Sequence, residues 1–220
     1  MQVLPFEPRR FRSAAPHYLA GRPAYADRLI ARVVALCGLA PSHRVLDLGC
    51  GPGQLARAFA PFASDVIGMD PEPEMLRVAA EACAGIGNIR WVEGSSYDLS
   101  AALGRFRLVT MGRSFHWMDR HDTLRRLDAL IDADGAIALF HDRHPDVPDN
   151  AWIADYRAVL ERYRNDDAAE RRTRGPGWVR HEGVLLHSAF ARVDEIAVFE
   201  LREVDADTLI ERALSMSSTS

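Results

Sequence analysis

Cysteine is scarce in this chain, and neither a long apolar run nor a large excess of charge of one sign is present. Cys37, Cys50 and Cys83 are the three cysteines, an odd set without metal-ligand spacing. That excludes a disulfide framework, fits a reducing interior and gives no reason to expect a metal. No stretch approaches 18 uncharged apolar residues, and the start lacks a basic-then-apolar signal segment, so no membrane span is expected and a cytoplasmic protein is. The formal charge is only -4, from 27 Lys plus Arg against 31 Asp plus Glu. Nucleic acid is therefore not an expected partner. Internal repeats, low-complexity tracts and a phosphate loop ending in Gly-Lys-Ser/Thr are also missing.

What is present is a glycine-rich turn after an apolar run: Val45-Leu46-Asp47-Leu48-Gly49-Cys50-Gly51-Pro52-Gly53, with Asp70 closing a second apolar run. Apolar residues before the glycines read as a buried strand, and the glycines permit a tight turn and close approach of a ligand. A helix beginning near Gln54 would present unpaired amides there. A dinucleotide fingerprint wants a glycine at the sixth place of its loop, where this chain has Gln54. Asp47 would also repel a pyrophosphate but attract an ammonium. A cofactor with a sulfonium and an amino-acid tail fits better than one with two phosphates. Asp70 is placed to accept hydrogen bonds from both ribose hydroxyls, a role shared by several nucleoside folds.

Strand and helix alternate along the chain at the spacing of crossover units, which predicts an α/β, doubly wound, mostly parallel Rossmann-like sheet flanked by helices. The expected strands are 45–48, 65–69, 89–92, 106–111 and 136–140, the last entered by a turn at Asp134-Gly135. Helices are expected over 24–39, 54–62, 73–84 and 120–130. An aromatic-rich helix follows around Trp152, Tyr156 and Tyr163, and then a polar stretch with Arg171-Arg172-x-Arg174. Residues 145–185 read as an inserted substrate cover after strand five, or else as a surface helix and solvated loop. A sixth strand is expected over 193–201 and a helix over 205–214. Only six residues follow Leu214, so strand seven is expected to be missing. One core suffices for 220 residues at 48% hydrophobic composition, giving a single domain over 1–220.

These residues resemble the class I S-adenosylmethionine-dependent methyltransferases, and more closely the small ubiquinone-biosynthesis-like and trans-aconitate-like group. Asp47, Gly49, Gly51 and Gly53 match the family's acidic-Gly-x-Gly-x-Gly signature, and Asp70 matches its ribose-binding acid. Further matches are Tyr18-x-x-x-Arg22-Pro23-x-Tyr25, Ser114-Phe115-His116-Trp117 and Ser215-Met216-Ser217. The resemblance implies S-adenosyl-L-methionine as cofactor and S-adenosyl-L-homocysteine as product. It also implies an N-terminal lid over 1–25, in which Tyr18 shields the sulfonium and Arg22 pairs with a carboxylate of cofactor or substrate. Cys50, Pro71, Met75 and Met111 complete the expected cofactor wall. The chain departs from the family after strand three, where Tyr97 stands at the usual carboxylate position. That leaves adenine to Ser96, Asp98 or backbone groups.

The acceptor should meet the cofactor above the carboxyl ends of the strands. His116 and Arg113 after strand four, and His141 and Arg143 after strand five, are the candidate catalytic residues. The chemistry is direct displacement, which mainly needs alignment and exclusion of water. A carboxylate acceptor would use an arginine for orientation, whereas a hydroxyl would use His116 or His141 as base. The expected substrate is a small molecule; the oligomeric state stays open. Two alternatives remain: a cofactor-binding regulatory protein without turnover, and an NAD-binding oxidoreductase.

Overall fold

The structure, a computed structural model, describes residues 11–164, 175–190 and 192–216. Arg171, Arg172 and Arg174 of the polar stretch, and Ser217 of the last motif, lie outside the described residues. Five strands, β1 (Arg44–Leu48), β2 (Asp65–Asp70), β3 (Ile89–Glu93), β4 (Phe106–Gly112) and β5 (Ile131–Phe140), form one parallel sheet in the order β3-β2-β1-β4-β5. Eight helices longer than one turn accompany it among the described residues: α1 (Ala15–Gly21), α2 (Asp27–Leu36), α3 (Gln54–Phe59), α4 (Pro73–Ala82), α5 (Arg120–Asp128), α6 (Trp152–Arg162), α7 (His181–Leu186) and α8 (Ala206–Leu214). The doubly wound parallel fold expected from the alternation is therefore present.

Period-two side-chain alternation divides the core between the two faces of the sheet. Leu46, Leu48, Ile67, Met69, Val109 and Met111 meet Leu124 and Leu127 of α5 and Val184 of α7. Val45, Val66 and Leu108 meet Ile30 and Val33 of α2 and Leu55 and Phe59 of α3 on the other face. Each fully buried side chain of this size contributes roughly 1.5–3 kcal/mol. Strand order reverses between β1 and β4, and this switch point opens a crevice at the carboxyl ends of the two strands.

Three expectations are corrected. Asp134-Gly135 does not precede strand five but lies inside it: Phe106 pairs with Ile131 and Leu108 with Ala136, leaving Asp132 to Gly135 opposite Arg107 alone. Arg107 accounts for the irregularity, because it pairs with Asp134 and donates from Nε to the Cys37 carbonyl at 2.7 Å. The second correction concerns residues 193–201, which pair with no strand and have no regular secondary structure. Phe199 and Leu201 there are 59% and 88% exposed, so their apolar pattern has no core to face. The segment runs over the surface, and Arg202 ties it to the Ala24 carbonyl at 3.3 Å. Third, the amides at the start of α3 are not all unpaired, as the site shows. Among the described residues no strand follows β5.

Helices α1 and α8 are brought together instead. Gly21 of α1 lies against the backbone of Glu211 and Arg212 in α8, so that a Cβ at Gly21 would overlap it. His17 Nδ1 meets Glu211 Oε2 at 2.9 Å in the same contact. Tyr156 of α6 donates its hydroxyl hydrogen to the Leu209 carbonyl at 2.9 Å. In this way α1, α6 and α8 cluster near the switch point without extending the sheet.

Candidate active site

The glycine loop is shaped by what packs against it. Gly49 has φ of 67°, and a Cβ there would stand 2.6 Å from the Cβ of Ser114. Ser114 Oγ donates to the Leu48 carbonyl at 2.9 Å, which fastens the loop after β4 to the end of β1. Gly53, with φ of 79°, faces the Trp91 ring, which a Cβ would approach to 2.5 Å. Trp91 was not expected as part of this loop. Its large ring dictates small residues above it, and only the pairing of β3 beside β2 reveals that.

Both expected acids brace the loop from within. Asp47 is buried, accepting at Oδ2 from the Ala56 amide at 3.0 Å and at Oδ1 from the Thr110 hydroxyl at 2.9 Å. Burial raises its carboxyl to about 7, against the two hydrogen bonds that favour the anion. Asp70 accepts from the Gly51 amide at 2.8 Å and the Glu72 amide at 2.9 Å, and burial raises it to about 6. One first-turn amide of α3, that of Ala56, is thus already satisfied by Asp47. A carboxylate has about four lone-pair sites, so each acid retains acceptor capacity.

Glu72 was missed by sequence reasoning, because as the residue just before a helix it reads as an ordinary cap. It does accept from the Glu74 amide at Oε1, but it is buried and its Oε2 has no hydrogen-bond partner among the described residues. A buried acceptor with nothing to accept, two residues beyond Asp70, suits a hydroxyl-bearing ribose. Met75 lies against Gly51, and Pro71 bridges Asp70 to Glu72. Met111 and Cys50 are buried at the ends of their segments. After β3, Ser96 is buried, Tyr97 receives Arg126 at its carbonyl, and Asp98 is exposed and closes a capping box with Ser95.

A cleft at the switch point is lined by Tyr18, Tyr25, Asp47, Gly49, Gln54 and Arg113, among others. Arg113 holds φ of 56°, a left-handed conformation unusual for a side-chain-bearing residue and characteristic of functional loops. Its guanidinium lies over the Tyr25 ring at 4.6 Å and donates to Asp142 at 2.7 Å, the Pro23 carbonyl at 3.1 Å and Gln54 at 3.2 Å. Burial opposes this charge, but Tyr25 and Asp142 outweigh it and hold Arg113 above its ordinary range. Arg22 sits over Tyr18 at 5.6 Å, and its carbonyl receives Gln54 Nε2 at 3.1 Å. The N-terminal motif is therefore joined to the glycine loop.

His116 occupies a single turn whose neighbour Phe115 is buried in the core. Its ring lies 4.6 Å from Trp117 and 6.5 Å from His181 at the start of α7, centroid to centroid. Arg120 donates to His181 Nδ1 at 3.2 Å and stacks on Trp178 at 3.7 Å. Burial and Arg120 together lower His181 to about 4, so it is neutral near pH 7. His141 and Arg143 are exposed, whereas Asp142 between them turns inward to Arg113. The alternation Phe140 buried, His141 out, Asp142 in was the available signal for this.

A parallel sheet with a glycine loop and two acids at its switch point defines a nucleoside-cofactor-binding α/β domain. Residues 45–135 match the family described as a methyltransferase domain. The chain is 27% identical over 177 residues to the uncharacterized methyltransferase YcgJ of Bacillus subtilis, covering 77% of this chain and 65% of that protein. It is 29% identical over 156 residues to trans-aconitate 2-methyltransferase of Rhodococcus jostii, covering 68% and 55% respectively. The solved CcbJ methyltransferase of Streptomyces caelestis shares the fold, with a TM-score of 0.50, 20% identity and coverage of 60% and 57%. The chain thus spans less than two thirds of each of these proteins. Over the region of the glycine loop and its two acids the chain is therefore similar to methyltransferases.

Proposed function

We propose that this chain is an S-adenosylmethionine-dependent methyltransferase that alkylates an oxygen of a small-molecule acceptor. The convergence of Asp47, Gly49, Tyr18, Tyr25 and Arg113 on one cleft at the switch point carries this reading. When bound, S-adenosylmethionine supplies a methyl whose bond to sulfur breaks as an acceptor oxygen attacks carbon, the electron pair remaining on sulfur. In this reading Asp47 favours the ammonium of the methionine part, while Asp70 and the unpaired oxygen of Glu72 receive ribose hydroxyls. Tyr18 and Tyr25 close over the reacting centre and exclude water, so that alignment supplies most of the acceleration. His116 orients the acceptor or accepts its proton.

The same reading takes residues 1–220 as one domain, with 1–25 as lid and 145–185 as cover. Support for the cover comes from α7, which buries Val184 in the core and sets His181 beside His116. Among the described residues no helix is long and apolar enough to cross a membrane, and with few cysteines this suits a cytoplasmic enzyme without a nucleic-acid partner. Methyl-labelled S-adenosylmethionine, incubated with the protein and a cell extract, tests the proposal. Label should enter low-mass products with equimolar S-adenosylhomocysteine. Label confined to protein or nucleic acid would overturn the small-molecule reading.

A further inference from the structure

One side chain of α5 engages three residues of the cover. Arg120, the first residue of that helix, donates from Nη1 to the Val179 carbonyl at 2.7 Å and to His181 Nδ1 at 3.2 Å, and its guanidinium lies 3.7 Å from the Trp178 ring centroid. A cation at the start of a helix opposes the helix dipole, so this arginine is not there for the sake of α5. A guanidinium donates and does not accept, which makes Nδ1 of His181 the acceptor in their pair. The imidazole is therefore neutral, with its proton on Nε2.

The surroundings of the ring act in the same direction. Burial, Arg120 from α5, His141 from the loop after β5 and Arg180 beside it all disfavour a cation, while the opposing acid, Glu182, is already paired with Arg180 at 2.8 Å. His181 rests on the buried Phe115 ring at 5.1 Å and lies within 27° of parallel to His116, 6.5 Å away. Phe115 and His116 share one turn after β4, so what seats His181 also fixes a ring beside His116. We propose that Arg120 is a positioning residue for methyl transfer: it fixes His181 as a hydrogen-bond donor at Nε2, and His181 orients the acceptor oxygen without competing for its proton. This rests on the transferase reading above and adds a residue of the cover to its acceptor site. With Nδ1 taken by Arg120 and Nε2 already protonated, His181 has no lone pair left for a base.

Nitrogen NMR of isotopically labelled protein reads the ring directly. His181 should show a protonated Nε2 and an unprotonated Nδ1 with no midpoint between pH 5 and 8, and R120Q should bring a midpoint into that range. With methyl-labelled S-adenosylmethionine and a low-mass cell extract, R120Q should lower transfer at least tenfold. R120K should recover part of the loss, since lysine donates to Nδ1 but does not lie flat on Trp178. H181F should lose as much as R120Q, and adding R120Q to it should cost less than a further twofold, because Arg120 acts through His181. Calorimetry should give S-adenosylhomocysteine affinities within twofold of the unmodified protein in each variant. Losses that multiply in the double variant would show that Arg120 only fastens the cover, and would overturn the proposal. So would transfer within twofold in R120Q, or a His181 midpoint between pH 5 and 8 in the unmodified protein. No label transferred by the unmodified protein would sink the transferase reading itself, and this proposal with it.

Discussion

Arg22 donates to the hydroxyl of Ser215, 193 residues further along the chain, at 2.9 Å. Ser215 is fully buried and passes its own hydrogen to the Arg212 carbonyl at 2.7 Å. Two short motifs at opposite ends of the sequence thereby become one structure, because α1 and α8 meet at Gly21. S215A should leave the Arg22 Nε without its acceptor, destabilising the fold by roughly 1–2 kcal/mol in urea denaturation. It should also weaken S-adenosylhomocysteine binding severalfold, since the Arg22 carbonyl holds Gln54 of the glycine loop. Unchanged stability would remove this hydrogen bond as a fastening.

The acids of the loop set a pH dependence of unusual sign. Asp47 and Asp70 are raised by burial to about 7 and about 6. Between their ordinary range near 4 and these values, the folded protein holds protons that the unfolded chain has released. Stability therefore falls as pH rises through that window. Carboxylates lowered by arginine pairing, such as Asp65 and Asp122, contribute stability that is lost only below that window, as pH falls through their folded values. Urea midpoints from pH 5 to 8 should decline from this source, and D47N should flatten the slope. Cofactor affinity should move oppositely, rising with pH as both acids ionise and accept more strongly. D70A should weaken it by at least about tenfold.

Much of this was legible in the sequence. The parallel sheet followed from apolar runs alternating with helical periods, and the glycine spacing together with Asp47 and Asp70 located the loop at the switch point. Those signals are local: each residue's neighbours in sequence are also its neighbours in space. The arrangement around Arg113 and His116 is not local. Asp142, His181 and Arg212 act through partners 29, 61 and 70 residues away. No periodicity records such pairings. The strand expected over 193–201 failed for a related reason, since alternation describes a strand only where a sheet edge receives it.

His116 should affect transfer more than cofactor binding. H116A is expected to lower turnover at least tenfold while S-adenosylhomocysteine affinity stays within twofold, because the ring contacts Trp117 and His181 rather than the glycine loop. H116N should keep most of the rate on a carboxylate and lose most of it on a hydroxyl, since asparagine hydrogen-bonds but does not cycle a proton near neutral pH. His181, lowered to about 4, should add no limb to the pH profile above pH 5. Full activity in H116A would place this residue outside the acceptor site.

Cofactor identity is tested most directly by calorimetry of the purified chain with S-adenosylmethionine, S-adenosylhomocysteine and NAD. The loop built on Asp47, with Gln54 where a dinucleotide site needs glycine, should bind the first two and give no comparable heat with NAD. Preferential binding of NAD would contradict the assignment.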